Sequence, residues 1–287
     1  MSDFSKFKAA MFDFDGTVTV PGNYEPSQEM ADALVKLTRK MPIAFCTGRQ
    51  LESFEDHGLE TLIKEIPKAE LEHFFENLVL IAENGSIGYK FNSSLDEFEE
   101  FYRVNWPDEI IGREELMQAL DHRIKDFGRV YFRKHRVVVV IRTNEHESGD
   151  FQAISRCSDQ IYEVCKEFMA EILPDYERFF HIGNSGIGVI ICPAIGDKNR
   201  GIQEFGKYLV GNRGIEFSKN FKEILVAGDR PEEGGNDFYF LDGKYGTPFT
   251  VGNLCPKNDL LEPVIDIDGE RLTHDKATIF LISQMTS

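Results

Sequence analysis

The feature that most constrains this chain is the alternation of short, uninterrupted apolar runs with amphipathic segments. Apolar runs at residues 8–12, 42–46, 78–82 and 224–227 carry no polar alternation. Such runs are typical of strands buried on both faces, as in a parallel sheet covered by helices. Pro26 to about Lys40, between the first two runs, has the apolar spacing of a helix. The pattern predicts an α/β fold, a Rossmann-like core built on a parallel sheet.

The middle of the chain has a different texture. Between residues 86 and 193, strand-like pairs are interleaved with helical segments, and Gly183 to Gly186 forms a strong turn signal. This pattern predicts an inserted α+β domain. We therefore expect a core made of residues 1–85 and 194–287, with residues 86–193 as the insertion.

Charge and composition restrict the environment and the partners. The 287 residues include 32 Lys and Arg against 49 Asp and Glu, a formal net charge of −17. This balance argues against a nucleic-acid or anionic membrane partner, because both reward clustered cations. The sequence has neither a long apolar segment nor a secretory pattern, and its five cysteines have no CxxC spacing. We expect a cytoplasmic protein with free thiols.

Asp13 and Asp15 follow the first predicted strand, in the segment Phe12–Thr17. Two carboxylates at a strand end can both face a cleft if the backbone turns at Gly16. The alternative is an ordinary acidic turn. Residues 266–269 repeat the D-x-D-G spelling and are predicted to form a hairpin turn. The D-x-D-G spelling alone is therefore weak evidence for a functional site. The predicted strand before Asp13 and the predicted helix beyond it strengthen the functional interpretation.

Two further segments offer candidate anion-binding residues, one after a predicted strand and one at the start of a predicted helix. Thr47 and Gly48 come after the second strand and could offer a hydroxyl and a backbone N–H to an anion. Lys198 begins a predicted helix, where a cation is unfavourable for the helix dipole unless an anion is near. A surface lysine is the alternative.

The fourth point is the loop after the strand at residues 224–227. Asp229 comes directly after this strand and its Gly228, and a glycine-rich acidic stretch then leads to Asn236 and Asp237. Asp237 could also be only a helix N-cap. In open parallel sheets, ligands bind at the edge where the strands end. These four points are therefore expected at one site.

Together these segments resemble the motifs of the haloacid dehalogenase (HAD) superfamily. The four matching motifs are FDFDGT, the Thr of FCTGR, the Lys of GDKNRG, and GDRPEEGGND, and they extend from Met11 to Asp237. The insertion between the second and third motifs, preceded by Glu83-Asn84-Gly85, resembles the subgroup with an α/β cap. That subgroup includes Cof-type, sucrose-phosphate and trehalose-phosphate phosphatases and phosphomannomutases. Lys198-Asn199 and the long fourth motif resemble the mutases, whereas FCTGR resembles the phosphatases.

The resemblance implies a Mg²⁺-dependent reaction through a phospho-aspartate. It assigns the nucleophile to Asp13, the general acid and base to Asp15, and the phosphoryl contacts to Thr47 and Lys198. Mg²⁺ would be held by Asp13, Asp229 and the backbone carbonyl of Asp15. Further expected residues are those of the phosphate loop and its support, Gly48, Asn236 and Asp237, and the substrate contacts Arg49, Glu83, Asn84, Lys90, Asn184 and Ser185.

The expected function is a phosphatase for a small phosphorylated metabolite, a sugar phosphate in particular. A hexose phosphomutase of the phosphomannomutase type is the enzymatic alternative. A phosphosugar-binding protein without catalysis is the third possibility, and the chemically intact motifs argue against it.

Overall fold

A computed structural model describes residues 3–23, 25–131, 137–142 and 151–287. The strands in these ranges are β1 (Ala9–Phe12), β2 (Ile43–Cys46), β3 (Leu78–Ala82), β4 (Ile87–Asn92), β5 (Glu97–Arg103), β6 (Gly128–Val130), β7 (Val138–Arg142), β8 (Phe180–Asn184), β9 (Gly188–Pro193), β10 (Ile224–Gly228), β11 (Thr247–Thr250) and β12 (Glu262–Pro263). The α-helices are α1 (Gln28–Thr38), α2 (Leu51–Phe54), α3 (Glu60–Glu65), α4 (Lys68–Glu76), α5 (Arg113–Ile124), α6 (Phe151–Ile172), α7 (Lys198–Arg213) and α8 (His274–Thr286).

The core sheet has the strand order β12-β11-β10-β1-β2-β3-β4-β5. Neighbouring strands from β12 to β3 pair in parallel, and β4 and β5 continue the sheet in antiparallel fashion. The central strands β1, β2, β3 and β10 are buried along their whole length. Their continuous apolar sequences follow from this burial on both faces. The predicted α/β fold with a parallel-sheet core is confirmed.

Helices cover both faces of the core sheet. Leu34 of α1 and Leu281 of α8 pack with Phe12 on one face. Phe205 of α7 packs with Met11 on the other. Because successive residues of a strand point to opposite faces, β1 contributes to both layers.

A second sheet lies in the middle of the chain, with the order β6-β7-β9-β8 and antiparallel pairing throughout. Leu120 of α5 and Ile161 of α6 pack with Val140 of this sheet in a separate apolar cluster. The predicted turn near Gly186 joins β8 to β9. We refer to this sheet and its two helices as the cap.

The expected boundary of the insertion at residue 86 stays a prediction, but the strand pairing bears on it. The hairpin β4–β5, residues 87–103, belongs to the core sheet, because Ile87 to Lys90 pair with Val79 to Ala82 of β3. The chain reverses at Gly85, whose φ of +105° suits glycine. The segment from about residue 104 to 193 is therefore the candidate cap, and the division into two domains stays a prediction.

Residues 266–269 form the turn that the sequence predicts for them. The backbone N–H of Asp266 donates to the Glu270 carbonyl, and Ile265 forms a bridge with Arg271. This turn is exposed, so the repeated D-x-D-G spelling marks two different structures. None of the described helices is both long and apolar enough to cross a bilayer.

Candidate active site

The loops that follow β1, β2 and β10 meet at one edge of the core sheet. Asp13, Thr47 and Asp229 are the first residues after these three strands. The strands are neighbours and run in parallel, so their carboxyl ends lie side by side. The turn after Asp13 is tight at Gly16, where a Cβ would lie 2.5 Å from the Asp229 carboxylate. The expected convergence of these loops is present in the structure.

Lys198 connects two carboxylates at this edge. Its Nζ lies 2.7 Å from Oδ1 of Asp13 and 2.6 Å from Oδ1 of Asp237, although Asp13 is 185 residues away in sequence. The lysine is only 1% exposed. Burial opposes its charge, but the two carboxylates outweigh burial and raise the pKa of Lys198 above its usual value. Lys198 therefore remains a buried cation.

Asp237 supports the loop and also belongs to the acidic cluster. Its Oδ2 accepts hydrogen bonds from the backbone N–H groups of Asp229 (2.9 Å) and Arg230 (3.1 Å). Burial opposes its charge, but Lys198 and these N–H groups outweigh burial and lower the pKa of Asp237. Residues 236–240 form turns and not a helix, so Asp237 is not a helix N-cap. Its side chain instead orients Asp229 and Lys198 together.

Three carboxylates share this pocket. Oxygens of Asp13, Asp229 and Asp237 lie within 4.8 Å of one another. Burial, followed by the charge of Asp237, raises the pKa of Asp13 to about 8. Burial, followed by the charges of Asp237 and Asp13, raises the pKa of Asp229 well above its usual value. One lysine does not balance three ionised carboxylates in this setting.

This imbalance fits a divalent cation. Clustered carboxylate oxygens are the ligands that Mg²⁺ prefers, and a cation would relieve the repulsion that keeps protons on Asp13 and Asp229. The predicted metal ligands Asp13 and Asp229 are both in the cluster. Asp237 is the third carboxylate there. The ligand role of the Asp15 backbone carbonyl stays a prediction.

Asp15 and Arg49 form a bidentate pair. Nε of Arg49 lies 2.9 Å from Oδ2 of Asp15, and Nη2 lies 2.5 Å from Oδ1. A guanidinium in this geometry fixes the plane and direction of a carboxylate. Arg49 thus contacts the predicted general acid and also lines the cavity described below. Its contact with substrate stays a prediction. No local sequence pattern indicates this pairing.

Thr47 and its neighbours form a braced loop. Thr47 is buried, and its carbonyl accepts a hydrogen bond from the N–H of Asn84 at 2.9 Å. The N–H of Glu83 donates to the Arg49 carbonyl, also at 2.9 Å. Glu83 and Asn84 are buried with positive φ angles of 50° and 58°. They support the Thr47 loop from behind, whereas we predicted them as substrate contacts.

Two other predicted substrate residues also lie elsewhere. Lys90 is in the core hairpin, where its Nζ is 3.4 Å from Glu99. Asn184 is buried, and its side chain bonds with Ser158 (2.6 Å) and Asp159 (2.7 Å) of α6. Ser185 does line the cavity described below.

Asn184 instead connects the cap to the core. Its N–H donates to the carbonyl of Gly234 at 2.8 Å, and its carbonyl accepts from the N–H of Asn236 at 3.1 Å. These bonds attach the end of β8 to the loop that carries Asp229 and Asp237. The pairing was missed in the sequence, because nothing local to either segment indicates it.

A cavity of about 440 Å³ separates the carboxylate cluster from the cap. Asp13, Asp15, Arg49, Asp229 and Asn236 line it from the core, and Gly48 lies among them. The lining residues of the cap include Arg129, Tyr131, Val139, Ile141, Ile187 and Ile190. These cap residues were missed, since strand alternation does not reveal which face covers a site. The arrangement can hold a phosphate ester beside Asp13 with its organic part under the cap.

Comparison with known proteins gives relatives over nearly the whole chain. A phosphomannomutase of Saccharomyces cerevisiae is 26% identical over 267 residues, covering 87% of this chain and 89% of the yeast protein. A phosphomannomutase of Arabidopsis thaliana is 25% identical over 262 residues, covering 87% and 92%. No family model matches the sequence.

Solved structures share the fold at lower identity. An IMP-bound, N-terminally truncated IMP-nucleotidase of Plasmodium falciparum has a TM-score of 0.64 and 15% identity, covering 99% of this chain and 71% of that one. A HAD/COF-like hydrolase of Plasmodium vivax has a TM-score of 0.63 and 16% identity, covering 98% and 95%. These likenesses concern the fold.

Proposed function

We propose that the chain is a capped member of the HAD superfamily and a Mg²⁺-dependent phosphatase of a small phosphorylated metabolite. Its similarity to phosphomannomutases and the fold it shares with a HAD/COF-like hydrolase support this proposal. The observation that carries the proposal is the position of Asp13. Its carboxylate lies at the floor of the cavity, 2.7 Å from the buried cation Lys198. A sugar phosphate is the class that the sequence predicts for the substrate.

In the first step, a carboxylate oxygen of Asp13 attacks phosphorus and the ester P–O bond breaks. Asp15 gives a proton to the leaving oxygen, which departs as an alcohol. The product is a phospho-aspartate on Asp13. Splitting one difficult displacement into two is the usual benefit of such an intermediate.

In the second step, water attacks the phosphorus of the phospho-aspartate. Asp15 takes the water proton, inorganic phosphate leaves, and the Asp13 carboxylate is restored. Lys198 and Thr47 would hold the phosphoryl oxygens during both steps. When bound, Mg²⁺ supplies positive charge that offsets the phosphate and favours ionised Asp13. Asp13 and Asp229 would hold it, with Asp237 beside them.

A hexose phosphomutase is the second candidate. The observation that favours it is the similarity to two phosphomannomutases over 87% of the chain. A mutase returns the phosphoryl group to a second position of the sugar, so the phospho-aspartate must be protected from water. Arg129 on the cap side of the cavity is a cation that a second phosphate could contact.

The experiment measures phosphate release from p-nitrophenyl phosphate and from a panel of sugar phosphates, with Mg²⁺ and with EDTA. We expect release that needs Mg²⁺ and is lost in Asp13→Asn. Asp268→Asn, in the exposed turn with the same spelling, is the matched control and should keep full activity. Wild-type protein that releases no phosphate from any ester contradicts the proposal, as does an active Asp13→Asn.

The same incubations separate the two candidates. Glucose 1-phosphate or mannose 1-phosphate, with a trace of the hexose bisphosphate, should give free phosphate if the enzyme is a phosphatase. Conversion to the 6-phosphate without free phosphate would instead identify the mutase.

A further inference from the structure

The cap side of the cavity is largely aliphatic. Val139 and Ile141 of β7 and Ile187 and Ile190 of the β8–β9 hairpin line it. Val139, Ile141 and Ile187 are only partly buried, because they face the cavity. A substrate held beside Asp13 therefore has its organic part against branched aliphatic side chains.

This aliphatic surface reaches down to the expected phosphate loop. A Cβ at Gly48 would lie 2.4 Å from Cδ1 of Ile190. Ile190 therefore rests on the loop that carries Thr47. The part of the leaving group nearest this loop meets a methyl group of the cap.

On the cap side of the cavity, polar partners for a polyhydroxylated sugar are few, whereas Gln50, Ser53 and Arg230 line its core side. Among the described cap residues lining the cavity, the polar side chains are Arg129, Tyr131 and Ser185. The Ser185 hydroxyl already donates to the Gly188 carbonyl at 3.0 Å. The side chains of Lys90 and Asn184 bond elsewhere. Burying a hydroxyl without a hydrogen-bond partner is unfavourable, so a hexose is poorly matched to this surface.

A planar heteroaromatic ring matches it better. Its two faces are apolar and pack well on Val139, Ile141 and Ile187, and an aromatic pair with Tyr131 adds to this packing. Its edge carries carbonyl and ring-nitrogen acceptors, which suit the planar donor fork of Arg129. Ribose between the ring and the phosphate would lie in the cavity that both the cap surface and Asp13 line.

We propose that the substrates are nucleoside 5′-monophosphates, with the base against the aliphatic cap surface and the phosphate at Asp13. This inference rests on the proposed phosphatase function and names nucleoside monophosphates as its substrate class, in place of the simple sugar phosphates that the sequence predicts. The reaction consumes water: the bond between phosphorus and O5′ breaks, O5′ gains a proton, and the water oxygen ends on phosphorus. The products are a nucleoside and inorganic phosphate.

The matched substrate pair for the test is ribose 5-phosphate and adenosine or uridine 5′-monophosphate, which differ in the base. We expect kcat/KM to be higher for a nucleotide by about tenfold or more, a typical value for one additional well-packed group. Equal or lower kcat/KM for both nucleotides overturns the proposal. Hexyl phosphate or glucose 6-phosphate as the best substrate also overturns it.

Two variants test the surface itself. Ile141→Asn should reduce the ratio of nucleotide to ribose 5-phosphate kcat/KM severalfold while hydrolysis of ribose 5-phosphate persists. Ile267→Asn is the control, because Ile267 is 76% exposed and lies in the distant turn, and its ratio should stay at the wild-type value. An unchanged ratio in Ile141→Asn overturns the assignment of the base to this surface.

A binding measurement keeps this inference separate from the proposed chemistry. Calorimetric titration of Asp13→Asn with each member of the substrate pair should give tighter binding of the nucleotide by about tenfold. If wild type hydrolyses no ester but this preference holds, the phosphatase proposal fails and the base site stands. If both ligands bind equally, the base site fails whatever the activity.

Discussion

Replacing Lys198 by methionine removes the buried cation while keeping most of the side-chain volume. Lys198 is 1% exposed, and its Nζ contacts both Asp13 and Asp237 at hydrogen-bond distance. Without it, two carboxylates stay close together at a buried position with no counter-charge from a side chain. We therefore expect a large loss of folding stability in Lys198→Met as well as a loss of activity.

The size of the effect follows from the burial of the pair. Removing one partner of a buried ion pair typically costs about 3–5 kcal/mol of unfolding free energy. The total free energy of unfolding of a natural domain is about 5–15 kcal/mol. Lys198→Met should therefore unfold at a much lower urea concentration and should remain folded at low temperature only by a small margin.

The directions of the pKa shifts determine how the stability of the two proteins changes with pH. The lowered pKa of Asp237 contributes stability that is present above its unfolded value of about 3.9 and is lost as the pH falls. That contribution depends on Lys198 and disappears in the variant. The raised pKa of Asp13, about 8, acts in the opposite sense and lowers wild-type stability as the pH rises towards 8. Lys198 lowers the pKa of Asp13 in wild type, so without it the carboxylates are harder to ionise and the variant loses more stability than wild type as the pH rises. The stability difference between wild type and Lys198→Met should therefore be larger at pH 8 than at pH 5.

The measurement is urea unfolding of both proteins at pH 5 and pH 8, in EDTA so that no metal compensates. Lys207→Met is the matched control, because Lys207 lies on the same helix and its side chain is 55% exposed where it pairs with Glu204. That control should change the unfolding free energy by less than about 1 kcal/mol. A Lys198→Met loss as small as the control's, or a loss that shrinks at pH 8, would refute the reasoning.

Two further predictions concern the contact between cap and core. Gly48→Ala should lower kcat/KM by roughly a few-fold, because its Cβ would press on Cδ1 of Ile190, the movable end of that side chain. The double variant with Ile190→Val should recover the loss, and no recovery would contradict the steric account. Asn184→Ala should cost about 1–3 kcal/mol in urea unfolding, because Ser158 and Asp159 lose a buried partner. Asn212→Ala, at an exposed helix position, is the control, and equal losses in the two would count against a stabilising role of the Asn184 side-chain bonds.

Much of the core could be predicted from the sequence, because its signals are local. Continuous apolar runs predict buried parallel strands, and Asp13, Thr47 and Asp229 directly follow such runs. Parallel strands bring their carboxyl ends to one edge, so the meeting of these residues follows from the element order alone. The catalytic roles of these residues stay predictions until activity is measured.

Only the tertiary structure decided the partners across long sequence distances. The bond from Lys198 to Asp237, the pair of Arg49 with Asp15, and the bridge from Asn184 to the core loop join segments with no shared local pattern. The hairpin at residues 87–103 has the sequence of an ordinary strand pair, and only its register against β3 places it in the core. Local sequence determines which elements form, whereas side-chain contacts between elements depend on how their faces pack together, and the aliphatic cap surface over the site is of this second kind.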